Sequence, residues 1–304
     1  MSEMAADSAA AVVANPGASR DAISVHYDVS PDFWARWLGE TMAYSCALFE
    51  GTDRLDEAQR RKIDWHLDRA GAAPGGTVLD IGCGWGSLLQ RALSHRTVGR
   101  AVGLTLSRAQ VEHVTRAVPG AEVHGVGWAD FAPAARFDAI VSIGAFEHFA
   151  RPHVPREQKI EGYQRFFRRC WEWGAPGSRL SLQTIAYDVG QPNRQSAFMQ
   201  TEIYPESELP YLDEILLAAA PFYEVTEILN HRAHYIRTCE AWLDSFRRSR
   251  KELLAMVGPE VVKRYDTYLR CCIVGFKLRH VVLLRLAFER RDEPGQIGTT
   301  ASSE

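Results

Sequence analysis

Thr77-Val78-Leu79-Asp80-Ile81-Gly82-Cys83-Gly84-Trp85-Gly86-Ser87 is the stretch that decides the fold. Val78 to Ile81 is a short apolar run of the kind that forms a buried parallel strand. Glycine then recurs at every second position, Gly82, Gly84 and Gly86, and Ser87 to Leu93 reads as a helix. Strand, glycine turn, helix is the arrangement that seats a nucleotide-type ligand at the carboxyl end of a doubly wound sheet. Glycine lets the backbone turn tightly and approach a ligand closely. The spacing is GxGxG with Asp80 two residues before the first glycine, not the GxGxxG of dinucleotide folds. Taken alone, the glycines also suit an ordinary βα turn.

Downstream, the alternation continues. Ala101 to Thr105 reads as a second strand, and its end lacks the acid that often holds ribose hydroxyls. Thr105 and Gln110 offer neutral hydrogen bonds instead, and Ser107 suits the cap of a helix running to Ala117. Glu122 to Val126 is a third strand, followed by Gly127-Trp128-Ala129-Asp130 as an adenine edge. Phe137 to Ile143 is a fourth, followed by Gly144-Ala145-Phe146-Glu147-His148-Phe149, where ligands collect at strand ends. Arg151 to Trp173 starts as a polar insertion and becomes a helix; Arg179 to Ile185 is a fifth strand. Tyr187 to Tyr204 has no clear period and reads as a mobile lid. Ser207 to Ala219 is a helix, Tyr223 to Leu229 a strand, Arg237 to Met256 and Pro259 to Phe276 helices, and His280 to Phe288 a last strand. This order predicts an α/β fold with a largely parallel sheet between helices.

Upstream, Ala22 to Tyr27 starts a helix, and Ser30 caps another beginning at Pro31. Phe33, Trp34, Trp37 and Leu38 share its core face. Tyr44-Ser45-Cys46 is too short for a core strand and reads as a loop lining a site. Leu55 to Ala70 is amphipathic with Ile63, Leu67 and Ala70 inward; His66 is expected at or near the surface, without a role.

A net charge of −3 argues against a nucleic-acid binder. The six cysteines show no metal-ligand spacing and suit a reducing cytoplasm. No apolar run reaches the roughly 18 residues of a membrane span. Residues 1–20 and 292–304 read as disordered tails around one domain, 21–291. The basic run Arg247 to Lys251 reads as a solvated helix face, with peripheral contact to anionic lipid as the alternative. The oligomeric state has no signature in the sequence.

The glycine turn resembles motif I of class I methyltransferases, which bind S-adenosylmethionine (SAM). Five further stretches narrow this: HYDVSPDFWARWLGETMAYSCALFE, VGLTLSRAQVEHV, FDAIVSIGAFEHF, IYPESELP and HYIRTCEAW. With VLDIGCGWGSLLQRA they resemble, in order, the cyclopropane-fatty-acid synthases, including the mycolic acid cyclopropane synthases and methyltransferases of mycobacteria. The resemblance implies a class I methyltransferase fold: a Rossmann-like seven-stranded sheet with N-terminal and C-terminal helical caps, 21–75 and 187–279. It implies SAM held by Tyr44, Ser45, Gly82, Gly84, Thr105, Gln110 and Trp128, with Asp80 and Gly86 completing the motif.

The implied chemistry joins a sulfonium methyl to an alkene in an apolar, acyl-lipid-like acceptor. The π electrons attack only if held close and in line. The carbocation that forms is softened by aromatic faces, for which Tyr27, Phe146 and Tyr268 are candidates at ~1–2 kcal/mol each when desolvated. A base then removes a proton, closing a cyclopropane or leaving a methylated alkene. In the family a bicarbonate serves there; the matching positions are Cys46, Glu147 and Tyr235. Glu147 holds it or acts as base itself if burial raises its pKa. Gln183 stands where the family has a His and cannot titrate, and Ala150 to Tyr163 is longer than the family's link. Both departures keep open a C- or N-methyltransferase tailoring a specialised metabolite, as in plant alkaloid N-methyltransferases with a similar core. A SAM-binding protein without catalysis is the third reading. For single residues, Cys46 and Tyr235 also suit plain core positions, and His148 a structural one.

Overall fold

The computed structural model describes residues 17–27, 29–188 and 198–295. Helices α1 (Arg20–Tyr27), α2 (Pro31–Leu38) and α3 (Leu55–Ala70) precede β1 (Thr77–Ile81). Then come α4 (Ser87–Ser94), β2 (Arg100–Leu104), α5 (Arg108–Ala117), β3 (Ala121–His124) and β4 (Phe137–Ile143). A short 3-10 turn, Phe146–His148, leads into α6 (Arg156–Trp173) and β5 (Gly174–Tyr187). A π turn, Met199–Ile203, is followed by α7 (Leu212–Ala219), β6 (Tyr223–Asn230), α8 (Arg232–Arg248), α9 (Arg250–Lys277) and β7 (Val281–Arg290).

The strands form one seven-stranded sheet in the order β3-β2-β1-β4-β5-β7-β6. The first five run parallel, while β7 is antiparallel to both β5 and β6. Parallel strands buried on both faces need apolar side chains throughout, and β1 is buried from Val78 to Ile81. One face packs on α6 and α7 through Tyr163, Phe166, Phe167 and Ile215. The other packs on α3, α4 and α5 through Ile63, Leu67, Leu88, Leu89 and Val114. A third core lies above the carboxyl ends of the strands. There Phe33, Trp34 and Trp37 of α2 meet Trp242 and Phe246 of α8 and Tyr265 of α9. Trp37 and Trp242 are edge-on at 5.9 Å, and Phe33 and Tyr265 at 4.9 Å. Such pairs add directional preference to large apolar burial.

Local signals account for most helix ends. Ser30 Oγ accepts from Asp32 N at 3.2 Å, Ser107 Oγ accepts from Gln110 N at 3.3 Å, and Gly71 ends α3 in the left-handed region. Other ends moved. α7 begins at Leu212, not Ser207, because Pro210 disfavours helix at the residue before it. α8 begins at Arg232, whose N–H donates to Asn230 Oδ1, and breaks at Ser249, whose hydroxyl donates to Arg36 O at 3.0 Å. The expected break lies inside α9 instead, as a kink where Gly258 has φ 77° before Pro259. β3 starts and ends earlier than expected, and β5 starts directly after α6.

Residues 17–20, expected in the N-terminal tail, are tied to the body: Ala18 N donates to His148 O at 2.8 Å and Ser19 N to Glu206 Oε2 at 2.9 Å. Residues 1–16 and 296–304, and 189–197 of the expected lid, lie outside the described residues. Among the described residues no helix is long and apolar enough to cross a membrane. In the basic run, Arg247 pairs with Asp266 and Arg248 with Asp244, as a solvated helix face does.

Candidate active site

The glycine turn is built as its spacing requires. Gly82, Gly84 and Gly86 have φ of 86°, 53° and 84°, a region that favours glycine. The N–H groups of Gly82 and Cys83 both donate to Leu104 O at 2.9 Å, which pins the turn to the end of β2. Each glycine faces something different. A Cβ on Gly82 would lie 2.4 Å from Ala145 Cβ, and one on Gly86 3.0 Å from Val114 Cγ2, whereas one on Gly84 meets nothing within 4 Å. Gly84 therefore faces open cleft, and Gly86 serves the packing of α5 rather than the cleft wall.

Tyr44, Ser45, Asp80, Gly82, Gly84, Thr105, Gln110 and Trp128 line that cleft, as expected from sequence. Thr105 Oγ1 donates to Gln110 Oε1 at 2.6 Å, a neutral pair suited to a diol. Trp128 is a buried ring braced by Phe149 and Phe166, with its remaining surface toward the cleft. Two charged side chains are sunk in the wall. Burial pushes the Asp80 carboxyl up to about 7, opposed by Lys62, and pulls the Lys62 ammonium down to about 7.

A second cavity of about 650 Å³ adjoins the first; Tyr44, Gly144 and His148 line both. Its wall is mainly apolar and aromatic, including Ile185, Tyr187, Met199, Tyr204, Tyr235 and Phe276. Glu147 is in it. Its Oε1 accepts from Ile185 N at 2.6 Å, while its Oε2 is buried with no hydrogen-bond partner. The nearby Thr184 hydroxyl donates to Ile185 O at 3.0 Å. Burial, partly offset by the Ile185 N–H, raises the Glu147 carboxyl to about 7. His148 Nδ1 is 2.7 Å from Ser207 Oγ, and burial lowers the imidazole to about 4, so it is neutral near pH 7.

The structure brings Glu147 and Tyr235 together at this cavity and leaves two other nominated residues outside it. Cys46 is fully buried, its thiol turned to Ala47 O at 3.2 Å and pushed up to about 11 by burial. Gln183 Oε1 accepts from Arg285 Nε at 2.8 Å. Of the three positions expected around a bicarbonate, Glu147 and Tyr235 line the cavity and Cys46 does not, so no chemical step is assigned to it. Phe146 packs below the sheet, 4.4 Å from Tyr163, and not on the cavity; Tyr268 reaches it through a 2.8 Å bond to the Tyr204 hydroxyl. The Tyr27 side chain lies outside the described residues.

Three residues were missed. His66, expected near the surface, is fully buried, with Nδ1 2.7 Å from Ser181 Oγ and Nε2 3.5 Å from Gln183 Oε1. Lys62 is in the cleft wall. Arg285 is fully buried and donates to Gln183, to His231 Nδ1, and to the carbonyls of Cys46 and Ala47 at 2.9 and 3.2 Å. The signal for the first two was present: Lys62 and His66 stand four apart on the face of α3 that carries Ile63, Leu67 and Ala70. Glu50, His231 and His234 also cluster, with atoms within 4.8 Å of one another. Arg285 and Phe49 N donate to the two Nδ1 atoms, so each neutral ring carries its proton on Nε2, where it cannot ligate.

The family model for mycolic acid cyclopropane synthetase matches residues 15–286. The chain belongs to that family. Hydroxymycolate synthase MmaA4 of Mycobacterium tuberculosis is 36% identical to this chain over 270 residues, 82% of this chain and 86% of the relative. The solved cyclopropane synthase MmaA2 from Mycobacterium tuberculosis matches with TM-score 0.81 and 32% identity, over 90% of this chain and 99% of that one. Mycolic acid cyclopropane synthase CmaA1, complexed with SAH and CTAB, matches with TM-score 0.80 and 33% identity, over the same shares of the two chains, 90% and 99%. The chain is a SAM-dependent methyltransferase with the class I fold.

Proposed function

We propose that the protein transfers a methyl group from SAM to an alkene carbon of an apolar, lipid-like acceptor held in the larger cavity. One observation carries this reading. A largely apolar cavity of about 650 Å³ meets the glycine cleft at Tyr44, Gly144 and His148, with the carboxyl-bearing residue Glu147 in its wall. The names of the relatives, hydroxymycolate synthase and cyclopropane mycolic acid synthase, support an acceptor of lipid type.

SAM, when bound, supplies an electrophilic methyl group. The open space over Gly84 admits its backbone approach, Trp128 offers a flat apolar face to adenine, and Thr105 with Gln110 offers hydrogen bonds to the ribose. Tyr44 and Ser45 close the other side. The acceptor double bond reaches the methyl only at the junction of the two spaces, and confinement there supplies the in-line geometry that a weak nucleophile needs. Positive charge left on the acceptor faces the rings of Tyr44, Tyr204 and Tyr235, each worth ~1–2 kcal/mol in a dry site. Glu147 takes the proton: its carboxyl, raised to about 7, is poised near neutral pH for general-base work. Loss of a proton from the new methyl closes a cyclopropane; loss from the neighbouring carbon leaves a methylated alkene.

The test is incubation with methyl-labelled SAM and mono-unsaturated acyl acceptors, followed by mass spectrometry and NMR of the product. Label in a cyclopropane or methyl branch is the expected result. Label found only in an amine or aromatic product removes the lipid reading. That second reading, tailoring of a specialised metabolite, is favoured by Gln183, which stands in place of the family's His and cannot titrate. SAM binding without turnover on any acceptor would leave only a binding protein.

A further inference from the structure

Helix α3 carries an ammonium into the wall of the donor cleft. Lys62 is 2% exposed, and its Nζ donates to Ser45 Oγ at 2.7 Å. Both line the cleft with Asp80, which is close enough to favour the charged lysine but not to pair with it. An ammonium has three N–H donors. Ser45 takes one, and among the described residues no carboxylate lies within ion-pair reach of the other two. A buried cation with unused donors is costly, and an anion delivered to it is correspondingly well held.

The strand order says which part of a ligand comes there. Thr105, Gln110 and Trp128 follow β2 and β3, on one side of β1. α3 packs across β4 and β5, on the other side. A donor with adenine at Trp128 and ribose at Thr105 and Gln110 therefore runs its remaining end toward Ser45 and Lys62. That end of SAM carries its one anionic group.

We infer that Lys62 binds the α-carboxylate of SAM and selects the complete donor over nucleoside fragments that lack the amino-acid end. The inference rests on the cleft being the donor site. Asp80, on the same wall, complements the neighbouring amino group. Lys62 is a donor-binding residue and takes no part in proton removal from the acceptor.

The experiment is isothermal titration of the full chain with two ligands, S-adenosylhomocysteine and 5′-methylthioadenosine. They share the nucleoside and the sulfur; only the first has the amino-acid end. Lys62→Met is expected to weaken S-adenosylhomocysteine by roughly 10–100-fold, the scale for a lost buried charged hydrogen bond, and methylthioadenosine by less than about twofold. Equal weakening of both would show that Lys62 merely props the Ser45 loop, and unchanged affinity for both would remove it from the site; either overturns the inference. If Lys62→Met fails to fold, Lys62→Gln carries the same comparison. Decarboxylated SAM, titrated into the unaltered protein, adds a readout free of any variant: it is expected to bind at least ~10-fold more weakly than SAM, and equal binding also overturns the inference. Gly84→Ala separates the two levels. If it weakens every ligand while Lys62→Met weakens none, the donor site stands and the role of Lys62 falls. If it weakens none, the donor-site reading falls with it.

Discussion

Glu147 shows how one side chain acquires a role from its surroundings. Its Oε1 is fixed by Ile185 N, and its Oε2 is buried without a hydrogen-bond partner in a residue that lines the cavity. Glu147→Gln keeps the first contact and abolishes the base. Turnover is expected to fall at least ~100-fold, the usual scale for acid–base loss, with SAM affinity within about twofold of wild type; kcat and a titration with SAM measure both. Unchanged turnover would remove Glu147 from proton transfer. Gly82 and Gly84 make the matching pair for the turn. Gly84→Ala places a methyl group in open cleft at φ 53°, so the fold should lose about 1–2 kcal/mol while SAM affinity drops at least ~10-fold. Gly82→Ala meets Ala145 Cβ at 2.4 Å, so it should instead lose about 2–4 kcal/mol of stability. Denaturation and titration of both variants distinguish a turn that serves a ligand from one that serves only packing.

At the scale of elements, strand β7 does more than extend the sheet. Through Arg285 it reaches the Cys46–Ala47 backbone, Gln183 on β5 and His231 before α8. The guanidinium has no carboxylate partner among these; it is held by neutral acceptors, and burial lowers its pKa. The loop that carries Tyr44 and Ser45 into the cleft is thereby anchored from below. Arg285→Met removes the cation but leaves two buried carbonyls and the Gln183 oxygen without that donor. A loss of about 2–4 kcal/mol is expected in denaturant unfolding. SAM affinity should fall with it, since Tyr44 and Ser45 lose their anchor. A variant as stable as wild type would show that the loop is held by its own packing. The caps follow the same logic: the aromatic faces of α2, α8 and α9 bury one another, and α8 and α9 also wall the larger cavity.

For the whole molecule, the buried titratable groups set a pH response. The folded Glu147 carboxyl is raised from 4.5 to about 7, so folding favours its protonated form. That contribution is fully present below about pH 4.5 and is lost as pH rises through about 7. Glu147→Gln lacks it. The variant should therefore match wild type near pH 4.5 and become the more stable of the two above pH 7, by up to about 3 kcal/mol, in paired melts across that range. A difference that does not grow with pH would mean that Glu147 is ionised in the fold without penalty. The sequence by itself determined the alternating α/β order, the glycine turn, the aromatic face of α2 and most of the cleft lining. Each of these depends on local periodicity or on a backbone conformation that only glycine adopts freely, and such signals are written within a few residues. Only the tertiary structure decided what Lys62 and His66 meet on the inward face of α3, that Arg285 rather than the cavity receives Gln183, and that Cys46 and Phe146 lie off the larger cavity. Those facts depend on which distant strand or loop comes to lie against a side chain, as Arg285 comes to lie against Cys46. The free energy of burying a polar group is set by those neighbours, not by its position along the chain.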